Sequence, residues 1–259
     1  MHKLSVFSIF KNEMHCLKEW IEHYIFHGVE HFYLINDNSD DNFLDVLNPY
    51  LEKGVVTLFN ARWDYYLGRQ KDIYNFYVLP RIKESKWLLM VDMDEFVWSP
   101  KEIDITKILD MCNGFGQIQV EHTLYGSNGC VKQPKYLVQS FTKRSIQQPT
   151  SLPIGNRKYF INSNFEFTSL NVHHATFLNK KDELENFILL EKEYFIMNHY
   201  NCQSSDFWNK VKCKRGDADN YLFRKPEDFD KLDLNEVEDL GLFNQNFSIF
   251  TALDNLEAS

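Results

Sequence analysis

The sequence predicts an α/β fold: a mixed, mainly parallel sheet flanked by helices, with a smaller antiparallel part in its second half. Three observations carry this. The first sixty residues alternate strand, helix, strand, helix, strand, the order that gives parallel pairing through right-handed crossovers. Polar clusters fall just after the predicted strands, at the edge where open α/β sheets hold ligands. From about residue 115 helical periodicity gives way to short strand-like pieces broken by Gly, Asn and Pro.

Residues 4–10 form an apolar strand that stops at Lys11-Asn12-Glu13. In "CLKEWIEHYIFHG", Leu17, Trp20, Ile21, Tyr24 and Ile25 recur on one face of a helix, and Gly28 is placed to end it. "VEHFYLIND" alternates into a second strand, and "DNSDDN" follows as a loop. Residues 43–51 read as a helix and 55–59 as a third strand. Residues 70–85 read as helical, with Ile73, Phe76, Tyr77 and Pro80 along one side. They lead into "WLLMVDMDEFVW", where the apolar run Leu88, Leu89, Met90, Val91 meets Asp92, Asp94 and Glu95. After Lys181 the chain turns acidic and helical, "EYFIMNHY" is a last clear strand, and 205–216 read as a helix. From about 226 the tail is acidic and weakly periodic. With no repeat or linker, one domain over 1–259 is expected, divided near 115 and with a tail from 221.

The 259 residues are 44% hydrophobic and 15% aromatic, enough for a substantial core. A net charge of -9 argues against nucleic acid or another polyanion held by phosphate contacts alone. A phosphate ligand bridged by a divalent ion stays compatible with it. Five dispersed cysteines without a CxxC pair point to reduced thiols and a cytoplasmic protein. No signal peptide or membrane-length apolar run is apparent; peripheral contact at the inner face of a membrane stays open.

Asp92-x-Asp94 is the first chemical candidate. Two carboxylates one residue apart at a strand's end can share Mg²⁺ or Mn²⁺, which prefer oxygen ligands and keep diphosphate oxygens in their shell. A bound cation would offset the repulsion of this crowded stretch. His199, after an apolar strand and before a basic helix, is a candidate third ligand. "NDNSDDN" either forms Asx-turns or lets Asp37 and Ser39 bond a nucleotide's base or ribose. Lys210, Lys212, Lys214 and Arg215 make a basic segment in an acidic protein, either a solvated face or a diphosphate clamp. Glu95, Glu121, Asp217 and Asp219 are carboxylates from which a general base could come, and spacing selects none of them. There is no GxSxG, GxGxxG or P-loop.

Taken together, "FSIFKNEMHCLKEWIEHYIFHGVEHFYLINDNSDDN", the D-x-D-E-F string at Asp92 to Phe96, "LYGSNG", "VHHA" and "NHYNCQSSDFWNKVKCKRG" resemble the glycosyltransferases of family 92 and their bacterial family 2-like relatives. The resemblance spans roughly residues 5–216. It implies a GT-A (Rossmann-like) fold, with a nucleotide-sugar half over about 1–115 and an acceptor half over about 116–220. It implies transfer, usually inverting, of a sugar from a nucleoside-diphosphate donor with a divalent ion. UDP-linked hexose is the donor favoured, and a glycan or lipid-linked sugar the acceptor, as in polysaccharide biosynthesis. By matching position, Asp92 and Asp94 hold the metal and diphosphate, and His199 is a further metal ligand. Lys11, Asn12, Glu13, Asp37 and Gln70 line the nucleotide side, and Lys210 to Arg215 lie near the diphosphate. Glu121, ending a strand shortly after the D-x-D strand, is taken as the catalytic base. Two positions depart from the pattern: Cys202-Gln203-Ser204 lacks a basic residue before serine, and His122 stands where an aromatic is common. The rival expectations are a nucleotidyltransferase and a non-catalytic carbohydrate-binding protein on the same fold.

Overall fold

The computed structural model describes residues 1–146, 157–219 and 224–257. The expected opening is present in order: β1 (His2–Phe10), α1 (Met14–Phe26), β2 (His31–Asn36), α2 (Phe43–Glu52) and β3 (Val56–Asn60). Then come α3 (Arg69–Tyr77) and β4 (Ser85–Met90). β1 pairs in parallel with both β2 and β4, and β2 in parallel with β3. β1 is therefore an interior strand, buried from Leu4 to Phe10, which is why it reads as a continuous apolar run. Leu17, Trp20, Ile21 and Tyr24 of α1 are fully buried, whereas Ile25 at the margin of that face is 38% exposed.

The second half adds β5 (Glu95–Trp98), α4 (Thr106–Met111), β6 (Gln117–Leu124), β7 (Lys143–Arg144), β8 (Arg157–Asn162), β9 (Phe167–Leu170) and β10 (Ala175–Phe177). β11 (Phe187–Leu189), β12 (Ile196–His199) and β13 (Val237–Glu238) follow. The main sheet runs β3-β2-β1-β4-β8-β6-β12-β5, with β11 also on β6. β8 is inserted antiparallel between β4 and β6, and β5 is antiparallel to β12. The sheet is thus mixed and mainly parallel, as its composition of βαβ units and later short strands requires.

Three expectations change. The helix read over 70–85 is divided: α3 stops at Tyr77 and a 3₁₀ turn occupies Leu79–Glu84. Pro80 offers no N–H to an α-helical ladder and its ring clashes with the carbonyl four residues back, so the chain tightens before entering β4. The acidic stretch after Lys181 gives only the short helix Lys180–Glu185, none of whose residues is buried, before β11 forms. With no apolar stripe to bury, a longer helix has nothing to hold it.

The tail is the third. It ends in a helix, Phe247–Glu257, that buries Ile249, Phe250 and Leu253. Asn246, just before it, bonds His23 of α1 and His27 immediately after α1.

Glu19 extends this packing from the same helix. Its carboxylate accepts from the backbone N–H groups of Leu137 (2.6 Å) and Val138 (2.9 Å), at the start of the short helix Leu137–Ser140. Burial, opposed by those two bonds, pushes the carboxyl from the ordinary 4.5 to about 7. The folded protein then holds this proton more tightly than the unfolded chain. The stabilisation is full below pH 4.5 and lost as pH rises through 7, with a slope of up to about 1.4 kcal/mol per pH unit. Glu19→Gln should remove that component from urea-unfolding free energies measured between pH 5 and 8. An unchanged slope would refute the assignment.

Candidate functional site

β4 delivers its fully buried Leu88, Leu89 and Met90 to the carboxyl edge of the sheet, and the chain turns sharply there. The turn is closed by Glu95 N–H donating to the Asp92 carbonyl at 3.1 Å. α1 fixes it from below: Trp20 Nε1 donates to the carbonyls of Asp92 and Glu95, each at 3.1 Å. The Tyr24 hydroxyl donates to the Glu95 carbonyl and accepts from Val97 N–H, each at 3.0 Å. The apolar face legible in the α1 sequence therefore also anchors the acidic turn.

Lysines offset the crowded carboxylates. Lys158 of β8, only 2% exposed, donates to Asp92 Oδ2 at 2.9 Å and stands 3.7 Å from Glu95 Oε2. Lys212 donates to Asp94 Oδ2 at 2.6 Å, again in a buried setting. Burial alone would raise the Asp94 carboxyl, but Lys212 and His199 outweigh it and hold it well below the usual range. Glu95 goes the other way: burial pushes it up despite Lys158. Burial is the largest single influence on His199 and lowers it, but the charge and hydrogen bond of Asp94 together with the Glu95 charge outweigh it, for a net rise.

Asp92, Asp94 and His199 line a cavity of about 440 Å³ together with Lys11, Glu13, Asp37 and Gln70. Lys212, Arg215, Asp217 and Asp219 also face it. Its other acids are paired too: Asp37 takes a two-pronged contact from the buried Arg69, and Glu13 an ion pair from Arg215. Asp217 faces Arg224 at 3.2 Å. Asp219 accepts from Gln70 N–H at 2.5 Å, at the start of α3. Lys11 Nζ donates to the Tyr65 hydroxyl at 2.7 Å.

Of the residues singled out in the sequence, Asn12, Ser39, Glu95, Glu121, Lys210 and Lys214 are not among those lining the cavity. Asn12 and Ser39 tie two loops together: Asn12 N–H donates to Ser39 Oγ at 3.0 Å, and Asn12 Oδ1 accepts from Asp40 N–H at 2.9 Å. Ser39 N–H also donates to Asn36 Oδ1, the turn chemistry expected of such a run. Lys210 is 67% exposed and pairs with Asp206 one helical turn back. Glu121, on β6, pairs with Arg157 at 3.3 Å.

The helix over 205–215 carries a π turn at Trp208–Lys212. A π turn inserts a residue into the helical ladder and rotates the residues after it. Here Lys212 and Arg215 face the cavity while Lys210 faces solvent. Lys158 and Arg69 had no role from the sequence. A lysine inside the apolar strand run "KYFI" was the available signal for Lys158.

The divalent ion implied by the D-x-D string fits the donor atoms present. Asp94 Oδ1, the oxygen not taken by Lys212, lies 3.5 Å from His199 Nε2. That is near the roughly 3 Å between neighbouring ligands of an octahedral ion. Asp92 is 37% exposed and borders the same cavity. The carboxylate oxygens suit magnesium or manganese.

Galactan β-1,4-galactosyltransferase GALS2 of Arabidopsis thaliana is 24% identical to this chain over 176 residues, 64% of this chain and 34% of that protein. A family 92 glycosyltransferase of Oryza sativa subsp. japonica is 24% identical over 138 residues, 52% of this chain and 23% of that protein. The matches thus span about a third or less of those relatives' lengths. Among solved structures, S. aureus TarS 1-349 in complex with UDP-GlcNAc aligns at 14% identity with a TM-score of 0.46. That alignment covers 89% of this chain and 64% of TarS 1-349. The family model for glycosyltransferase family 92 matches residues 5–235, and the chain belongs to that family.

Proposed function

We propose that the chain transfers a hexose from a nucleoside-diphosphate sugar, UDP-linked, to a hydroxyl of a glycan or glycolipid, with inversion and with manganese or magnesium. The observation that carries this reading is one cavity, at the carboxyl edge of the sheet, that unites Asp92, Asp94 and His199 with Lys212 and Arg215. Family membership supports the reaction class, and the galactosyltransferase names of two relatives favour a donor such as UDP-galactose.

On this reading Asp94 and His199, with Asp92, would hold the cation, which supplies charge neutralisation for the departing diphosphate. Lys212 and Arg215 add fixed positive charge where the leaving group develops its negative charge. Lys11, Asp37 and Gln70 face the nucleoside, with Arg69 fixing the Asp37 carboxylate. The base that deprotonates the acceptor is then one of the cavity's own carboxylates, Asp217 or Asp219, in place of Glu121. Five free cysteines favour a reducing, cytoplasmic setting, at or near the inner face of a membrane. Among the described residues no helix is long and apolar enough to cross a membrane.

A thermal-shift series with UDP-sugars, each with and without Mn²⁺, tests the reading. At a hundredfold excess over Kd the true donor should raise Tm by roughly 5 °C or more, and only with the metal. Turnover of the responding donor should survive Glu121→Gln and be lost in Asp217→Asn or Asp219→Asn. Stabilisation without metal, or by no nucleotide sugar at all, would overturn the proposal.

A further inference from the structure

A second set of donor atoms shares His199 with the cavity. β6, β12 and β5 are consecutive in the sheet, and they contribute His122, His199 and Glu95. His199 is paired directly opposite Glu95 across the antiparallel ladder, so both side chains project from the same face. His199 Nδ1 is 3.3 Å from His122 Nδ1 and 3.9 Å from Glu95 Oε1. One ligand atom from each of the three lies within 4.8 Å of the other two.

His122 is 8% exposed, and among the described residues its Nε2 has no hydrogen-bond partner.

We propose that Glu95, His122 and His199 form an inner site for a borderline transition-metal cation of the zinc type, distinct from the outer set of Asp92 and Asp94. The chemistry favours zinc over magnesium: two imidazoles and one carboxylate make a catalytic-type zinc set with an open fourth position. Zinc–nitrogen bonds of about 2.0–2.1 Å put neighbouring tetrahedral ligands roughly 3.3 Å apart, the separation the two imidazoles already have. All three ligands stand on strands, so little ordering is left for binding to accomplish. Lys158, 3.7 Å from the other Glu95 oxygen, opposes a further cation and makes the site weaker than a structural zinc site.

The two positions exclude one another. A neutral imidazole offers one lone pair. An ion on His199 Nδ1 leaves the ring proton on Nε2, facing Asp94, and takes His199 out of the outer set. The outer position rests on the function proposed above, whereas the inner one does not.

The test uses tag-free protein without nucleotide, titrated with Zn²⁺ against a chromogenic chelator. Wild type should take up one zinc per chain. His122→Phe and Glu95→Gln should each weaken uptake by at least about tenfold, while Asp94→Asn keeps it. Co²⁺ added to wild type should give the intense visible absorption of a four-coordinate ion, a readout that no variant's folding can confound. Zinc occupancy should also raise the Mn²⁺ concentration needed for half-saturation, followed by the free-manganese EPR signal. No zinc uptake by wild type, or undiminished uptake by folded His122→Phe, overturns the site. Undisturbed manganese binding beside zinc overturns the exclusion. If the donor site is misassigned, nucleotide-sugar stabilisation fails while zinc uptake persists.

Discussion

Replacing Lys158 with methionine should cost about 3–5 kcal/mol of folding stability at neutral pH, because it breaks a buried ion pair and leaves its acids uncompensated. Methionine keeps most of the stem's packing, so the loss reports the ammonium. The lysine is 2% exposed and reaches Asp92 and Glu95 from a strand that lies between β4 and β6. Asp92, at 37% exposure, can return part of its charge to water; Glu95, at 3%, cannot. Burial already raises the Glu95 carboxyl with Lys158 in place, and without the lysine it rises further. A carboxyl raised in the folded state favours folding at low pH and loses that contribution as pH climbs through its folded value. The penalty should therefore be largest near pH 8 and shrink by pH 5.5. Chemical denaturation of both proteins at the two pH values measures it. A loss below about 1 kcal/mol, or one equal at both pH values, would show that Lys158 is not the counter-charge.

Asp94→Asn should lower turnover about a thousandfold, or ~4 kcal/mol, if the carboxylate holds the cation that neutralises the leaving diphosphate. The substitution is isosteric, and Lys212 keeps both oxygens of Asn201, the backbone carbonyl and, at 3.4 Å, the side-chain Oδ1. The variant should consequently fold, though less stably, since a buried ammonium has lost its formal partner. Rates are to be compared per folded molecule, with far-UV circular dichroism as the check. The KM for the donor should rise along with the fall in kcat, and excess Mn²⁺ should recover little. Turnover above a tenth of wild type would remove Asp94 from the metal set.

Local patterns carried the sequence reading a long way. The alternation of apolar runs and capped helical faces in residues 4–60 corresponds to β1 through β3 because each pattern is set by neighbours three, four or two residues away. The acidic turn was equally legible, since four apolar residues followed by three acids is itself local. The partners of those acids were not. Lys158 is 66 residues from Asp92, Lys212 118 from Asp94, and Arg69 32 from Asp37. Each pairing depends on sheet order or loop closure, which periodicity does not encode. β8 illustrates this: as an antiparallel insertion it brings a lysine to the one edge where parallel strands end. The terminal helix was missed for a related reason. Ile249, Phe250 and Leu253 make only a short stripe, and that stripe gains meaning from α1 lying beneath it.

The π turn at Trp208–Lys212 makes the cavity wall sensitive to chain length as well as to residue type. One residue in a helix corresponds to about 100° of rotation. Deleting a single residue between this turn and Arg215, where no bulge absorbs the change, would swing Arg215 about a quarter-turn away from the Lys11 carbonyl and Glu13, with which it now bonds. Most substitutions on the solvent side, such as at Lys210, leave that phase untouched. In this segment residue spacing is itself a functional parameter, and indels should be purged from functional variants where point changes persist.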